Sequence, residues 1–438
     1  MVVKEMVKIS EPVKMLCTGD IHLGRHPAGL PDIFDGKEYS PGSIWQQVVR
    51  RAVADNVDLV VVAGDVVDRK NRYFEAFGDF ESGLKTLTRE GIPLYLVSGN
   101  HDFDVVPPLV SGLSDYNITQ LGQDGSWEWA SLSKDGVPVL QLCGWSYPSQ
   151  HVEYNPIQRL NLNCRDDLPV VGMLHSDLGR PDSKYAPVTR ADLEKTGFSG
   201  WVIGHVHKPE LKSETRPFKL SPGSPQPLDQ SEPGTHGPWI LTIDNQGAME
   251  GKQLSLSNLR YTRLSLNVEG LDTIEKIPPK FYSRTSKFIK EVKHPGLQLL
   301  IVTLELRGRA PVYDGLKGKT NKLARDLRRE SAEINIAVTS IINNVKPPVD
   351  LVELAQGNNP VAMLADLILK LEKGDKDEIP DDLIKKSRES LNEAYYSNAY
   401  QVLRSAGEVS PPGKDTSLEQ LKEQAWLIMN SLISQNKT

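Results

Sequence analysis

The amino-acid sequence predicts an α/β fold, and two observations carry that prediction. Through about residue 210, short β-branched runs end abruptly in Gly, Asp, Asn or His: VKMLCTGDIH, VDLVVVAGDVVD, IPLYLVSGNHD, PVVGMLHSD and WVIGHVH. Helix-like stretches separate the early runs. Apolar runs of about five to seven residues read as strands buried on both faces. Strand–helix–strand alternation layers helices on sheets, and ligands bind such sheets at the carboxyl ends of the strands. The polar clusters fall at those ends.

The helices between the first strands are GSIWQQVVRRAVADN (42–56) and YFEAFGDFESGLKTLTREG (73–91). Residues 215–238, TRPFKLSPGSPQPLDQSEPGTHGP, are rich in Pro, Gly and Ser and predict a long surface loop. Strands follow at WILTID (239–244), QLSLS and RYTRLSLNV. A composition shift near residue 258 opens a smaller α+β domain. In it QLLIVTLELRGRA is a strand, DGLKGKTNKLARDLRRESAE a basic helix and INIAVTSIINNV a further strand. After about residue 348 the pattern is helical, with PVAMLADLILKLEKG, DDLIKKSRESLNEAYYSNAYQVLRSAG and, past the break EVSPPGKD, a last helix at 416–435. The expected domains are therefore residues 1–257, 258–348 and 349–438.

With 438 residues, 39% hydrophobic and 25% charged, the chain has the composition of a globular protein of two or three domains. No apolar run approaches the roughly 20 residues of a membrane span, and the N-terminal segment lacks the layout of a signal peptide. Cys17, Cys143 and Cys164 form no CxxC pair and read as reduced core residues of a cytoplasmic protein. A net charge of −6 excludes a general polycation, yet residues 280–330 hold 13 Lys and Arg against 5 Asp and Glu. Such a segment is either a polyanion-binding face or a solvated helix face.

The polar clusters are Asp20 and His22; Asp65 and Asp68; Asn100, His101 and Asp102; His175; and His205 with His207. Five of the nine histidines fall among them. Imidazole and carboxylate together suit divalent transition metals, and the absence of Cys points away from structural zinc. Asp102 reads as a loop-fixing carboxylate, and Asp177 as either a turn residue or support for the site. His26 reads as a loop residue that could touch substrate with Arg25, while His151, His236 and His294 read as structural.

GDIH, GDVVD, GNHD, a lone His after an apolar strand, and GHVH, in that order, resemble the signature of calcineurin-like metallophosphoesterases. The resemblance covers residues 14–226, including SPGSPQPLD. It implies a four-layer α/β/β/α sandwich with two divalent ions between its sheets. Carried over position by position, it implies Asp20, His22, Asp65 and His207 at one ion. Asp65 would bridge to the second, which Asn100, His175 and His205 complete. Two carboxylates against two divalent ions leave about +2 on the site, which attracts a phosphodiester. Two such ions, about 3.5–4 Å apart, can lower the pKa of a shared water and hold a phosphate for in-line attack. His101 is implied to protonate or hydrogen-bond the leaving oxygen, oriented by Asp68. A turn residue capping the next helix is the other reading of Asp68.

The form DIHLG and the appended basic domain resemble the DNA-repair nuclease branch, which includes the bacterial SbcD and YhaO-like subunits. LRGRAPVYDGLKGKTNKLARDLRRE (306–330) and PPVDLVELAQGNNPVAMLADLI (347–368) are similar to the YhaO-like form. One departure is Asp68, where archaeal and eukaryotic members carry His. The resemblance implies a manganese-dependent DNA nuclease, an exonuclease with endonuclease capacity left open, whose second domain caps the site and grips the DNA backbone. Candidate contacts are Lys317, Lys319, Lys322, Arg325, Arg328 and Arg329, with 322, 325 and 329 spaced to share a helix face. It further implies a coiled-coil ATPase partner of the SbcC type and leaves homodimerisation open. The last helix offers a stripe of Leu418, Leu421, Ala425, Ile428, Met429 and Leu432, started by a Thr416–Glu419 capping box. That stripe serves either a partner or the chain's own packing. A small-nucleotide phosphodiesterase is the competing reading and a non-catalytic scaffold a third. The basic segment speaks against the former and the complete ligand set against the latter.

Overall fold

Four parallel strands, β1 (Val13–Thr18), β2 (Leu59–Ala63), β3 (Leu94–Val97) and β4 (Ile118–Gln120), form the first sheet. Antiparallel β11 (Trp239–Ile243) and β12 (Met249–Gln253) extend it beyond β1. The second sheet runs in the order β5 (Trp127–Lys134), β6 (Val137–Trp145), β7 (Val170–His175), β8 (Gly200–Gly204), β10 (Phe218–Ser221), β9 (Glu210–Lys212). The computed structural model describes residues 12–435 apart from 35, 69–73, 162–167, 215, 245, 332, 374–377, 402, 403 and 405–408.

Side-chain alternation along the strands builds the layers. In β1 and β2, Met15, Cys17, Leu59, Val61 and Ala63 face Leu140, Leu142, Val171, Met173 and Val202 of the second sheet. Their neighbours Leu16, Val60 and Val62 face away. They pack on α1 (Pro41–Ala54), α2 (Phe74–Arg89) and α3 (Val106–Gly112) through Ile44, Trp45, Val48, Phe80, Leu84 and Leu109. On the far side Cys143, Leu174, Trp201 and Ile203 meet Leu193 of α4 (Arg190–Lys195). Each of these strands is covered on both faces, which is why its sequence is apolar without a break. Local chemistry starts α1. Ser40 Oγ accepts the Ser43 N–H at 3.2 Å, Pro41 enters the first turn, and Ile44, Trp45, Val48, Val49 and Ala52 line its buried face.

A third sheet, β13 (Leu259–Asn267), β14 (Leu299–Arg309) and β15 (Asn335–Lys346), carries α5 (Ile277–Val292) between its parallel β13 and β14. Leu259, Tyr261, Leu299, Ile301 and Ala337 pack against Phe34 and Tyr39, which follow β1, and Tyr261 Oη donates to the Ala28 carbonyl at 2.6 Å. Residues 1–308 and 312–345 accordingly form one compact unit. The other unit, residues 309–311 and 346–438, holds α8 (Leu351–Ala355), α9 (Pro360–Lys373), α10 (Asp381–Tyr396) and α11 (Lys414–Gln435). Among the described residues no helix is long and apolar enough to cross a membrane.

Four local expectations change. Much of the stretch 215–238 is not surface loop. Phe218–Ser221 is β10, beside β8, and Ser224, Gln226, Leu228, Glu232 and His236 are buried. Internal hydrogen bonds make that burial affordable to polar groups, as between Ser224 Oγ and Glu232 Oε2 at 2.7 Å. The strand expected at QLSLS lies earlier, at Met249–Gln253. The basic helix is broken into α6 (Val312–Leu316) and α7 (Thr320–Asp326) by Gly318 at φ +68. Finally, α11 begins at Lys414, so Thr416 lies inside the first turn and is not its cap. Ala425 and Met429 of α11 pack on Leu351, Ala365 and Ile368 of their own unit, whereas Ile428 is 49% exposed. Cys17 and Cys143 are buried and reduced, and Cys164 lies outside the described residues.

Candidate metal centre

The carboxyl ends of β1, β2, β3, β7 and β8 deliver the five motifs to one place, and the backbone is bent to do so. Asp20, His22, Asp65 and His205 all have left-handed φ, at +49, +51, +51 and +92. Such conformations cost roughly 1–3 kcal/mol each and persist where surrounding structure enforces them. Two glycines make room. A Cβ on Gly204 would lie 1.9 Å from the Ala63 carbonyl oxygen, and one on Gly99 would lie 2.1 Å from Asp65 Oδ1.

Asp65 lies in the middle. Its Oδ2 is 3.3 Å from His175 Nε2 and 3.7 Å from His22 Nε2, while its Oδ1 accepts the His101 N–H at 2.9 Å. Asp20 lies 3.8 Å from His207 Nε2 and 3.9 Å from His175 Nδ1, and accepts the His205 N–H. His22 Nε2 and His207 Nε2 are 3.1 Å apart, and Asn100 Oδ1 is 3.1 Å from His175 Nε2. Among the described residues, three sets of ligand-capable atoms each lie within 4.8 Å: Asp20, His22 and His207; Asp20, Asp65 and His175; His22, Asp68 and His101. The His205 ring is 5.2 Å from that of His175, but its Nε2 faces Asp177 Oδ2 at 4.0 Å.

The ring orientations show what the cluster is built to hold. His175 Nδ1 is 3.0 Å from the Ala63 carbonyl, and His207 Nδ1 is 2.7 Å from Glu232 Oε1. Both partners only accept, so both Nδ1 atoms are N–H donors. In the neutral rings each Nε2 is then a lone pair aimed at further acceptors, Asp65 and Asn100 for one ring and Asp20 for the other. Acceptors converging on acceptors call for a cation between them, whether proton or metal. Burial opposes a charged His175, yet Asp65 holds its pKa up to about 9. Burial likewise opposes a charged His207, whose pKa Glu232 and Asp20 hold up to about 9. Burial pushes His22 down to about 3 and, with His175 nearby, His205 down to about 4. The donors are nitrogen and oxygen without sulfur, which suits a first-row divalent ion.

Residues 13–209 match the calcineurin-like phosphoesterase family. The chain carries a calcineurin-like metallophosphoesterase domain. It is thus similar to phosphoester hydrolases that use divalent metals. The metallophosphoesterase YhaO of Bacillus subtilis is 25% identical over 323 residues, 72% of this chain and 77% of that protein. The DNA double-strand break repair protein Mre11 of Aeropyrum pernix is 25% identical over 242 residues, 51% of this chain and 56% of that protein. Its namesake from Methanosarcina mazei is 22% identical over 294 residues, 64% and 43% respectively. The chain spans about half the length of these two archaeal relatives.

Within the metallophosphoesterase domain His101 is the most open of the clustered histidines, with 38% of its side chain exposed. Its Nδ1 faces Asp68 Oδ1 at 3.7 Å, and the Asp68 carboxylate raises its pKa. Asp102 accepts the N–H groups of Val66 at 2.6 Å and Gly99 at 2.7 Å, tying the loops after β2 and β3 together. The sequence reading missed Glu232, the acceptor that orients His207, because it lies in a Pro/Gly-rich stretch taken for surface. It also missed Tyr147 and Tyr185, whose rings lie 5.7 Å from His175 and 4.9 Å from His205. Tyr147 lies just past the apolar strand β6, where an aromatic usually means core, and Tyr185 lies in the loop before α4 with no local signal.

The basic residues of the third-sheet region are placed differently from the expected helix face. Lys322 and Arg325 are exposed on α7, and Lys319 immediately precedes it. Arg328 follows the helix, half-buried. Arg329 leaves the helix to pair its backbone with Ile336, so it cannot share a helical face with Lys322 and Arg325. Lys317 pairs with Asp314 at 2.7 Å.

Proposed function

We propose that this chain is a cytoplasmic, manganese-dependent DNA nuclease, an exonuclease with endonuclease activity left open, that acts in DNA repair. The observation that carries the catalytic part is the convergence of Asp20, His22, Asp65, Asn100, His175 and His207 at contacts of 3.1–3.9 Å. In this reading Asp20, His22, Asp65 and His207 hold one ion. Asp65, Asn100, His175 and His205 hold the other, His205 through a small rotation of its ring from Asp177. When bound, the pair of ions supplies water activation and neutralises charge on the phosphate. The chain's own groups do the rest. Asp65 is shared between the two halves, Ala63 and Glu232 fix the imidazole tautomers, and His101, oriented by Asp68, donates to the leaving oxygen.

Two observations favour DNA over small nucleotides. The curated archaeal relatives are named as break-repair proteins, and Lys322 and Arg325 stand exposed on α7 beside Lys319. For a coiled-coil ATPase partner, the support is apolar exposure on the helical unit, where Met363 is 75% and Leu427 64% exposed. A second copy of the chain is a further candidate for the same surface.

The test is end-labelled single- and double-stranded DNA incubated with purified protein and Mn²⁺, beside mononucleotide diesters. Metal analysis after reconstitution should give two ions per chain, with His207→Ala losing at least one. Cleavage of the mononucleotide diesters with intact DNA would replace the nuclease by a small-nucleotide phosphodiesterase. Saturation at one ion would end the two-metal reading.

A further inference from the structure

A cavity of about 360 Å³ opens beside the turn that follows His22, between Arg25, His26, Lys37, the first turn of α1 and Asp79 of α2. Its size falls within the range of small-ligand sites. Three basic side chains, Arg25, His26 and Lys37, line it against one carboxylate, Asp79.

The start of α1 is already served by the chain's own acceptors. A Cβ on Gly42 would lie 1.8 Å from Asp79 Oδ2, so that carboxylate is pressed against the helix end, and Ser40 Oγ takes the Ser43 N–H. An incoming anion therefore meets the side chains of Arg25, His26 and Lys37, not the helix amides. Arg25 links the cavity to the metal centre at two points. Its N–H donates to the His22 carbonyl at 3.0 Å. Its guanidinium reaches Asp229 Oδ2 at 3.5 Å, on the loop whose Glu232 holds His207. A guanidinium offers five donors, and one loose ion pair leaves the fork able to take a phosphate as well.

We infer that this cavity is a phosphate subsite for the substrate strand, taking a phosphodiester adjacent to the scissile one through Arg25 and Lys37. The inference deepens the nuclease reading and rests on it for the identity of the polyanion. A substrate with a single phosphodiester gains nothing from the subsite, whereas a polynucleotide does.

The full-length chain and its Arg25→Gln/Lys37→Gln variant are compared with Mn²⁺ on a short single-stranded oligonucleotide and on bis(p-nitrophenyl) phosphate. The variant should lose about 10- to 100-fold in kcat/KM on the oligonucleotide, through KM, while the chromogenic diester changes by less than about twofold. Without metal, it should also bind the labelled oligonucleotide more weakly, with a salt slope smaller by about 0.7 per lost contact. Equal oligonucleotide binding and salt slope in the two proteins would overturn the subsite. So would an equal kinetic loss on both substrates, which would assign Arg25 and Lys37 to the upkeep of the centre itself. A wild-type protein that binds the oligonucleotide but cuts only the chromogenic diester removes the nuclease reading alone, and the binding comparison still decides the cavity. A wild-type protein that does not bind the oligonucleotide removes the subsite as well.

Discussion

At the scale of single residues, the centre is a set of acceptors held in opposition by the backbone and by Glu232. Protons and divalent ions therefore compete for the same lone pairs. His175 and His207, held up to about 9 in the absence of an ion, must each give up a proton when one binds. Lower pH keeps those protons in place, so Mn²⁺ affinity should rise from pH 6 towards pH 9 and binding should release protons. Titration calorimetry in buffers of different ionisation enthalpy measures both, and a pH-independent affinity would contradict the assignment. Glu232→Gln should weaken the same affinity by about 10- to 100-fold, since it leaves the His207 tautomer unfixed. His101 has a different role in this account. His101→Ala should keep its metal content and lose about 10²–10⁴-fold in kcat on the best substrate. Loss of metal from that variant would instead make His101 and Asp68 ligands, in line with their closeness to His22.

At the scale of elements, strand ends do the positioning and short helices carry the surface charge. The strands that carry the site were legible because burial on both faces leaves a continuous apolar run, and Gly, Asp, Asn or His punctuates each one. The break in the basic helix was less legible. Gly318 lies between α6 and α7 at φ +68, and a lone glycine in a helical pattern is tolerated often enough to be passed over. The break narrows the candidate DNA face to Lys322 and Arg325 with Lys319 nearby. Charge reversal of Lys322 and Arg325 to Glu should weaken duplex binding and reduce its salt slope by about 0.9 per lost phosphate contact. Hydrolysis of bis(p-nitrophenyl) phosphate should be unchanged, because neither side chain belongs to the metal cluster. Arg329→Glu alone should have a smaller effect on binding, since its backbone is tied to Ile336.

At the scale of the whole molecule, the chain divides into a unit containing all three sheets and a unit of α8–α11. Metal binding should slow amide exchange at the carboxyl ends of β1, β2, β3, β7 and β8, and leave α8–α11 unchanged. Hydrogen–deuterium exchange with Mn²⁺ and with chelator reads this directly, and equal slowing in both units would show that the centre is coupled to the helical unit. By itself the sequence determined the five strands that carry the site, the helices α1 and α2 between the first of them, the family resemblance and the polar residues at the strand ends, because those depend on local periodicity and short motifs. Only the tertiary structure decided that much of the Pro/Gly-rich stretch, residues 217–228 above all, packs inside and that Glu232 is buried beside it, and that Asp20 reaches both His175 and His207. It also decided that α11 turns Ala425 and Met429 inward and Ile428 outward. Each of these depends on which distant segment occupies the facing space, and composition and spacing along one chain carry no record of that.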